Sequence, residues 1–250
     1  MDGGCASPGH PSIFHINPDE IAGGPAQSGA RCATLYRETC MTIWAIVPVK
    51  PLRLGKSRLS GVLTDDERAV LNRKFLEQTL DILRNLSEVA QTLVVSRDPA
   101  ALAIAREFGA RTVLEDGNPN LNAALTRATL LARNYATRGV LVLPADLPLL
   151  TQEDLRDLFA RVKRTPCVVI SPDRHQDGTN ALFMTPGGMI PYSFGPGSFY
   201  RHCESAQKAG AHLEILQNSH IGLDLDTPED LRILKSLEES LVKEVKEIIK

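Results

Sequence analysis

The chain has 250 residues, 43% apolar and 23% charged, with 28 Lys and Arg against 30 Asp and Glu and a formal net charge of -2. That suffices for one large or two modest globular domains, and the near balance of charge argues against a general nucleic-acid or membrane-surface binder, which carries a basic excess. The longest apolar stretch, Val140 to Leu150, is interrupted by Asp146 and two prolines and is too short to span a bilayer.

Residues 1–40 hold 6 of the 18 Gly and 4 of the 16 Pro, show no helical or strand period, and read as a disordered N-terminal extension without the layout of a signal peptide. Residues 41–250 read as one folded domain. Ile43 to Val47 is expected as a buried strand. A helix follows from Thr64 to Asn85, opened by a capping box between Thr64 and Glu67. Thr92 to Val95 is a strand, Pro99 to Phe108 a helix stopped by Gly109, and Thr112 to Leu114 a short strand. Helix Leu121 to Ala136, strand Val140 to Leu143, helix Gln152 to Val162 and strand Val168 to Ile170 come next. Ala181 to Met184 is read as a strand, reversed in direction, followed by helix Ser198 to Ala209 and extended His212 to Leu216. Thr227 with Pro228 starts a C-terminal helix whose Leu231, Leu234, Leu237, Leu241, Val245 and Ile248 keep helical spacing to the end.

Strands alternating with helices predict an α/β fold with a mainly parallel sheet covered on both faces. Ligands of such sheets sit beyond the carboxyl ends of the strands, which directs attention to the segments after Val47, Val95, Leu143 and Ile170. The five cysteines, Cys5, Cys32, Cys40, Cys167 and Cys203, contain no CxxC pair, so the chain reads as cytoplasmic with reduced thiols. Cys167 is expected as a small buried hydrophobe, and His175 and His202 as surface residues.

The first strand leads into Lys50-Pro51-Leu52-Arg53-Leu54-Gly55-Lys56-Ser57-Arg58, four cations in nine residues. Lysine as a point charge and arginine as a fork suit a polyphosphate. Gly55-Lys56-Ser57 copies the end of a P-loop, but that motif needs glycine where Lys50 stands, so the match is rejected. After the strand ending at Leu143, Asp146 lies between Pro144 and Pro148, whose fixed φ holds it in a defined position and makes it a candidate magnesium ligand. In the extended Asp224-Leu225-Asp226 both carboxylates face one side. Thr227 and Asp230 are read as helix-cap residues, Asp224 as the preferred second metal ligand and Asp226 as the alternative. In Gly195-Pro196-Gly197-Ser198, glycines allow close backbone approach to an anion, and Ser198 is either a helix cap, a ligand contact, or both.

Taken together, Val47 to Leu59, Asn120-Leu121-Asn122, Leu143 to Pro148, Gly178-Thr179-Asn180, Phe194 to Phe199 and Asp224 to Leu231 resemble the 2-phospho-L-lactate guanylyltransferase family, CofC/FbiD type, over about Thr42 to Leu237. The resemblance implies a Rossmann-like three-layer α/β/α sandwich of the GT-A-like nucleotide-diphospho-sugar transferase type. It implies transfer of GMP from GTP to 2-phospho-L-lactate, phosphoenolpyruvate or 3-phospho-D-glycerate, with release of pyrophosphate, in coenzyme F-420 biosynthesis. Mg2+ is the implied cofactor, with Mn2+ able to replace it. Lys50, Lys56 and Asp146 are then catalytic, Lys56, Arg58 and Asn122 bind the nucleotide, and Thr179, Asn180, Gly195, Gly197 and Ser198 bind the acceptor. Asp146, Asp224 and Asp226 form the metal set. GTP and the small acid are the partners, with no nucleic acid or membrane, and a homodimer is left open. A molybdopterin nucleotidyltransferase is the enzymatic alternative, and a non-catalytic nucleotide-binding module the alternative from another class.

Reacting anions explain the residue types. Two unit charges about 4 Å apart interact by roughly 1 kcal/mol in water and about 4 at an effective dielectric of 20. Such repulsion is of barrier size unless cations offset it. A phosphate nucleophile is already ionised near neutral pH, so no general base is needed.

Overall fold

A computed structural model describes residues 42–117, 119–135 and 137–237. The extension read from residues 1–40 lies outside the described residues, as does the continuation of the last helix through Leu241, Val245 and Ile248. The seven strands are β1 (Ile43–Val49), β2 (Val89–Ser96), β3 (Arg111–Leu114), β4 (Gly139–Val142), β5 (Cys167–Pro172), β6 (Thr179–Thr185) and β7 (His212–Ile215). The helices are α1 (Asp65–Arg84), α2 (Pro99–Glu107), α3 (Leu121–Arg133), α4 (Gln152–Ala160), α5 (Ser198–Lys208), the single turn α6 (Ser219–Gly222) and α7 (Pro228–Leu237).

One sheet runs β3-β2-β1-β4-β6-β5-β7. The β1/β2, β2/β3, β1/β4 and β5/β7 pairs are parallel, whereas β6 is antiparallel to both β4 and β5. The expected reversal at Ala181 to Met184 is therefore present. It also has a consequence for the site: the amino end of β6, at Thr179, pairs with Pro172 at the carboxyl end of β5. Thr179 and Asn180 thus reach the same edge of the sheet as the carboxyl ends of the parallel strands.

Alternation along β1 divides the interior into two layers. Ile43, Ala45 and Val47 join Leu76, Leu80, Leu102, Leu155 and Phe159 on one face, whereas Trp44 and Ile46 join Leu125, Ala128, Tyr192 and Phe199 on the other. A third cluster packs Leu59, Leu63, Leu71 and Phe75 against Leu223, Leu225, Leu231 and Leu234. Each fully buried Leu there contributes about 1.5–3 kcal/mol, and the cluster clamps the basic segment and the start of α1 to the far end of the chain.

Local signals act as expected at most boundaries. The Thr64/Glu67 capping box forms, Asp98 caps α2 with Pro99 in its first turn, and Gly109 takes φ 77 beyond the helix end. Thr227 and Asp230 exchange capping bonds at α7, and Cys167 is fully buried. Helix α3 ends at Arg133, short of the expected Ala136. Two short elements escaped the periodicity, α6 and a 3-10 turn at Ser57–Leu59, because one turn carries no repeat.

Candidate active site

Strand β1 has β2 on one side and β4 on the other, so the chain leaves β1 in one direction and returns to its opposite flank. A crevice beyond the carboxyl ends of such strands is a topological switch point. Here it is a cavity of about 370 Å³, walled by Lys50 and Lys56 after β1, Arg97 after β2, Glu115 after β3, and Asp146 after β4, with Asp226 completing the wall.

Lys56 enters this site through its backbone. Its φ is 57 and ψ 40, the left-handed region, which is unfavourable for a residue with a Cβ and persists only where surroundings enforce it. The preceding Gly55 is required by close approach: a Cβ there would stand 2.7 Å from the Asn72 side-chain nitrogen, which donates to Leu52 O at 2.7 Å. The loop closes on itself through Gly55 N–H to Pro51 O at 3.0 Å, and Leu52 N–H donates to Asp98 at 2.8 Å. With only the 3-10 turn following Lys56, no P-loop helix exists, as the Lys50 mismatch implied. The buried Lys56 ammonium donates to Leu225 O at 2.5 Å, lies 3.7 Å from an Asp146 oxygen, and faces the Phe75 ring at 5.6 Å.

The two acidic segments are pinned together by backbone: Leu225 N–H donates to Asp146 O at 3.0 Å. Asp224 has its carboxyl held above the usual range, first by burial and then by the charge of Asp146, with Asp226 adding to it and the Asn180 bond opposing. Asn180 donates to Asp224 at 3.2 Å and to Ile221 O at 2.9 Å. Mutual repulsion among Asp146, Asp224 and Asp226 is what a divalent cation would relieve, so this set of oxygen donors fits a hard oxygen-loving ion. Among the described residues no group of three or more His, Cys, Asp or Glu is arranged to hold a metal, so substrate phosphates would have to supply much of its coordination. Arg58 is exposed and sits 3.7 Å from Asp226, and Lys50 lies open at the cavity mouth.

The Phe194–Phe199 segment forms a separate wall. Gly195 and Gly197 take φ 122 and 71, conformations that favour glycine, and Gly197 N–H donates to the Asp177 carboxylate at 2.9 Å. Gly197, not Ser198, caps α5, and no side chain makes the cap bond, so the simple cap reading of Ser198 is overturned. Ser198 is buried and its hydroxyl lies 3.4 Å from that of Thr179.

A family model described as guanylyl transferase CofC like matches residues 43–240. The chain belongs to the CofC-like guanylyltransferase family. The phosphoenolpyruvate guanylyltransferase of Rubrobacter xylanophilus is 42% identical over 196 residues, spanning 78% of this chain and 95% of that protein. The 2-phospho-L-lactate guanylyltransferase of Methanothermobacter thermautotrophicus is 33% identical over 192 residues, spanning 76% and 83%. Among solved structures, one from Desulfovibrio desulfuricans G20 superposes with TM-score 0.65 at 18% identity, covering 83% of this chain and 96% of that one. A 4-diphosphocytidyl-2C-methyl-D-erythritol synthase superposes with TM-score 0.54 at 17% identity, covering 79% and 99%. At those identities the likeness shows the fold alone, which is that of the nucleotide-diphospho-sugar transferases. The chain is a nucleotidyltransferase, and among the described residues no helix is long and apolar enough to cross a membrane.

Further placements in this CofC-like chain differ from the sequence reading. Asn122, like Arg58, Asp224, Thr179, Asn180, Gly195, Gly197 and Ser198, is not among the residues lining the cavity; its amide accepts from Phe194 N–H at 2.8 Å and donates to Phe194 O at 3.3 Å, which holds the Phe194–Phe199 segment. His202, expected at the surface, is fully buried on the inner face of α5. Arg97 and Glu115 line the cavity without having been singled out, and Asn120, quoted in the sequence only as part of a motif, lines it as well. The strand-end rule pointed at the segment after Val95, but a lone Arg or Glu in a turn carries no pattern of its own. Each is held in place: Arg97 donates to Gly117 O at 2.7 Å, Asn120 N–H donates to Glu115 at 3.1 Å, and the Asn120 side chain caps α3.

Proposed function

We propose that the protein transfers GMP from GTP to phosphoenolpyruvate, releasing pyrophosphate, as a step of coenzyme F-420 biosynthesis. The observation that carries this reading is the backbone bond from Leu225 N–H to Asp146 O, which brings Asp146 and the Asp224–Asp226 segment together beside the buried ammonium of Lys56 at the switch point of the sheet. The name of the Rubrobacter xylanophilus relative supports phosphoenolpyruvate over the other three-carbon acids.

An oxygen of the acceptor phosphate attacks the alpha phosphorus of GTP in line, and the bond to the bridging oxygen breaks, so the electron pair leaves with pyrophosphate. Lys50, Lys56 and Arg58 steady the triphosphate and the departing anion. Asp146 and Asp224, with Asp226 beside them, would hold Mg2+ or Mn2+, which supplies charge neutralisation to the reacting phosphates. Thr179, Ser198 and the amides around Gly195 and Gly197 receive the acceptor, and Asn180 orients Asp224. Holding both reactants in fixed orientation converts a two-anion encounter into an intramolecular step. At the far wall Glu115 is the acceptor suited to guanine, whose N1–H and 2-amino donors lie side by side on one edge; Asn122 then serves the acceptor side, by holding the Phe194 segment.

Incubation with Mg2+, each of GTP, ATP and CTP, and the three acids in competition, followed by mass spectrometry of products, tests the reading. Guanylylated phosphoenolpyruvate with stoichiometric pyrophosphate is expected. Transfer confined to a pterin acceptor, or GTP binding with no pyrophosphate formed, would overturn it.

A further inference from the structure

His202 is a fully buried titratable group that the reaction above does not use. It sits on α5 with no exposed surface, and both of its ring nitrogens are bonded. Ser193 N–H lies 3.0 Å from Nε2. A backbone amide has only a proton to offer, so Nε2 is the acceptor and the ring proton resides on Nδ1. Nδ1–H therefore donates to the Thr179 hydroxyl oxygen, 3.0 Å away. That oxygen also receives the Ser198 hydroxyl at 3.4 Å. With both lone pairs occupied, the Thr179 hydroxyl can act toward any third group only as a donor.

The ring also fixes the neighbouring wall. Ser193, whose N–H it accepts, gives its carbonyl to Arg201 at 2.7 Å, and the Phe194 ring packs edge-on against the imidazole with centroids 4.9 Å apart. Asn122 holds Phe194 from the other side. His202 is thus the common anchor of the Thr179–Ser198 hydroxyl pair and of the segment leading to Gly195 and Gly197. Burial, and then the adjacent Arg201 charge, push its pKa down to about 4, so this arrangement of protons persists at neutral pH.

We propose that His202 is a positioning residue for the acceptor: its Nδ1–H locks the Thr179 hydroxyl as a donor to the acid, and its Nε2 holds the Ser193–Gly197 wall against which the acid seats. This inference rests on the proposed guanylyl transfer and assigns, within that site, a residue that touches neither substrate.

Three variants separate the two bonds. In His202→Asn the side-chain amide reaches the position of Nδ1 and keeps a donor for Thr179. In His202→Gln it reaches the position of Nε2 and keeps an acceptor for Ser193. His202→Phe removes both. Steady-state kinetics with each substrate varied, alongside thermal melts, give the readout. In His202→Phe the acceptor KM is expected to rise by about tenfold or more, the cost of one or two lost buried bonds, while the GTP KM stays within about twofold. His202→Asn, which keeps the donor to the hydroxyl that meets the acid, is expected to recover most of the acceptor KM, and His202→Gln, which keeps only the hold on Ser193, a smaller part. Equal recovery by both variants, an unchanged acceptor KM in His202→Phe, or a parallel rise in both KM values overturns the inference. If His202→Phe fails to fold, the Asn and Gln pair decides the matter alone. A wild-type protein inert toward all three acids overturns the functional reading, and this inference with it; an active wild type indifferent to position 202 overturns this inference only.

Discussion

Lys56 and Leu225, 169 positions apart, are joined by a 2.5 Å bond from the lysine ammonium to the leucine carbonyl. The same bond brings the basic segment after β1 to the acidic segment before α7, and the third hydrophobic cluster packs around both. Electrostatics and packing therefore depend on each other at this point. The ammonium is held in place by apolar side chains, and the carboxylates that flank it gain a fixed counter-charge.

Removing that ammonium should cost stability as well as activity. Lys56→Met keeps the apolar stem but leaves the Leu225 carbonyl without its partner and Asp146 without its nearest cation. An unsatisfied buried acceptor costs about 1–3 kcal/mol, so urea unfolding should show a loss of that order with an unchanged slope. Lys56→Arg should not restore turnover, because a planar fork cannot replace a point charge in so enclosed a pocket.

Asp146→Asn separates chemistry from folding. The side chain is partly open to solvent, and Leu225 is held by the Asp146 backbone carbonyl, which the substitution leaves in place. The melting temperature should move little, while kcat falls by roughly 100-fold or more, as when a preorganised charge is removed from a transition state. Full activity in this variant would remove Asp146 from the metal set.

Much of this site was legible before the fold. Each strand was named to within a few residues because buried β-branched runs and cap residues are local signals. Asp146 stood out because two prolines bracket it, and Asp224 because an extended backbone places it on the side of Asp226. His202 was misread because its neighbours along the chain, Arg201 and Glu204, are exposed. Only the tertiary fold reveals that this position of α5 faces Thr179. Asn122 was assigned to the base by resemblance, whereas its partner, Phe194, lies 72 positions away. Glu115 and Arg97 become visible only once strand order brings the ends of β1, β2, β3 and β4 around one cavity.

Carboxylate repulsion should appear in the absence of divalent ions. Asp224→Asn keeps an oxygen to accept the Asn180 bond and removes a charge that burial and Asp146 both oppose. The metal-free variant should melt above the metal-free wild type, by about 2–4 °C for each kcal/mol of repulsion relieved in a domain of this size. Mg2+ with GTP should raise the wild-type melting temperature and leave the variant nearly unmoved. Equal Mg2+ responses would show that Asp224 holds no cation.

Base selection should respond at Glu115. Glu115→Gln replaces a two-oxygen acceptor with an amide that presents one acceptor and one donor, so GTP loses a partner for either N1–H or the 2-amino group. The GTP KM should rise by about tenfold, and the margin over ATP should narrow correspondingly. Inosine triphosphate, which lacks the 2-amino group, should suffer less from the substitution than GTP. An unchanged ratio of GTP to inosine triphosphate would place the guanine edge elsewhere on the cavity wall.

Acid should weaken the fold through His202. In the native protein burial and the Arg201 charge push its pKa from 6.5 down to about 4. Above pH 6.5 the ring is neutral in both folded and unfolded chains, and its stabilising bonds carry no protonation penalty. Between pH 6.5 and 4 the unfolded chain takes up the proton and the folded one does not, so stability is lost steadily through that window and levels off below it. A shift of this size corresponds to about 3 kcal/mol at 1.36 kcal/mol per unit. His202→Gln has nothing to protonate there. Its unfolding free energy, measured by urea at successive pH values, should therefore fall less steeply than the wild type's between pH 6.5 and 4, and the two slopes should agree above pH 7. Matching slopes throughout the window would mean that the native imidazole protonates as readily as an unfolded one, in which case neither the Nδ1–H tautomer nor the acceptor role of Nε2 toward Ser193 could persist in mildly acidic solution.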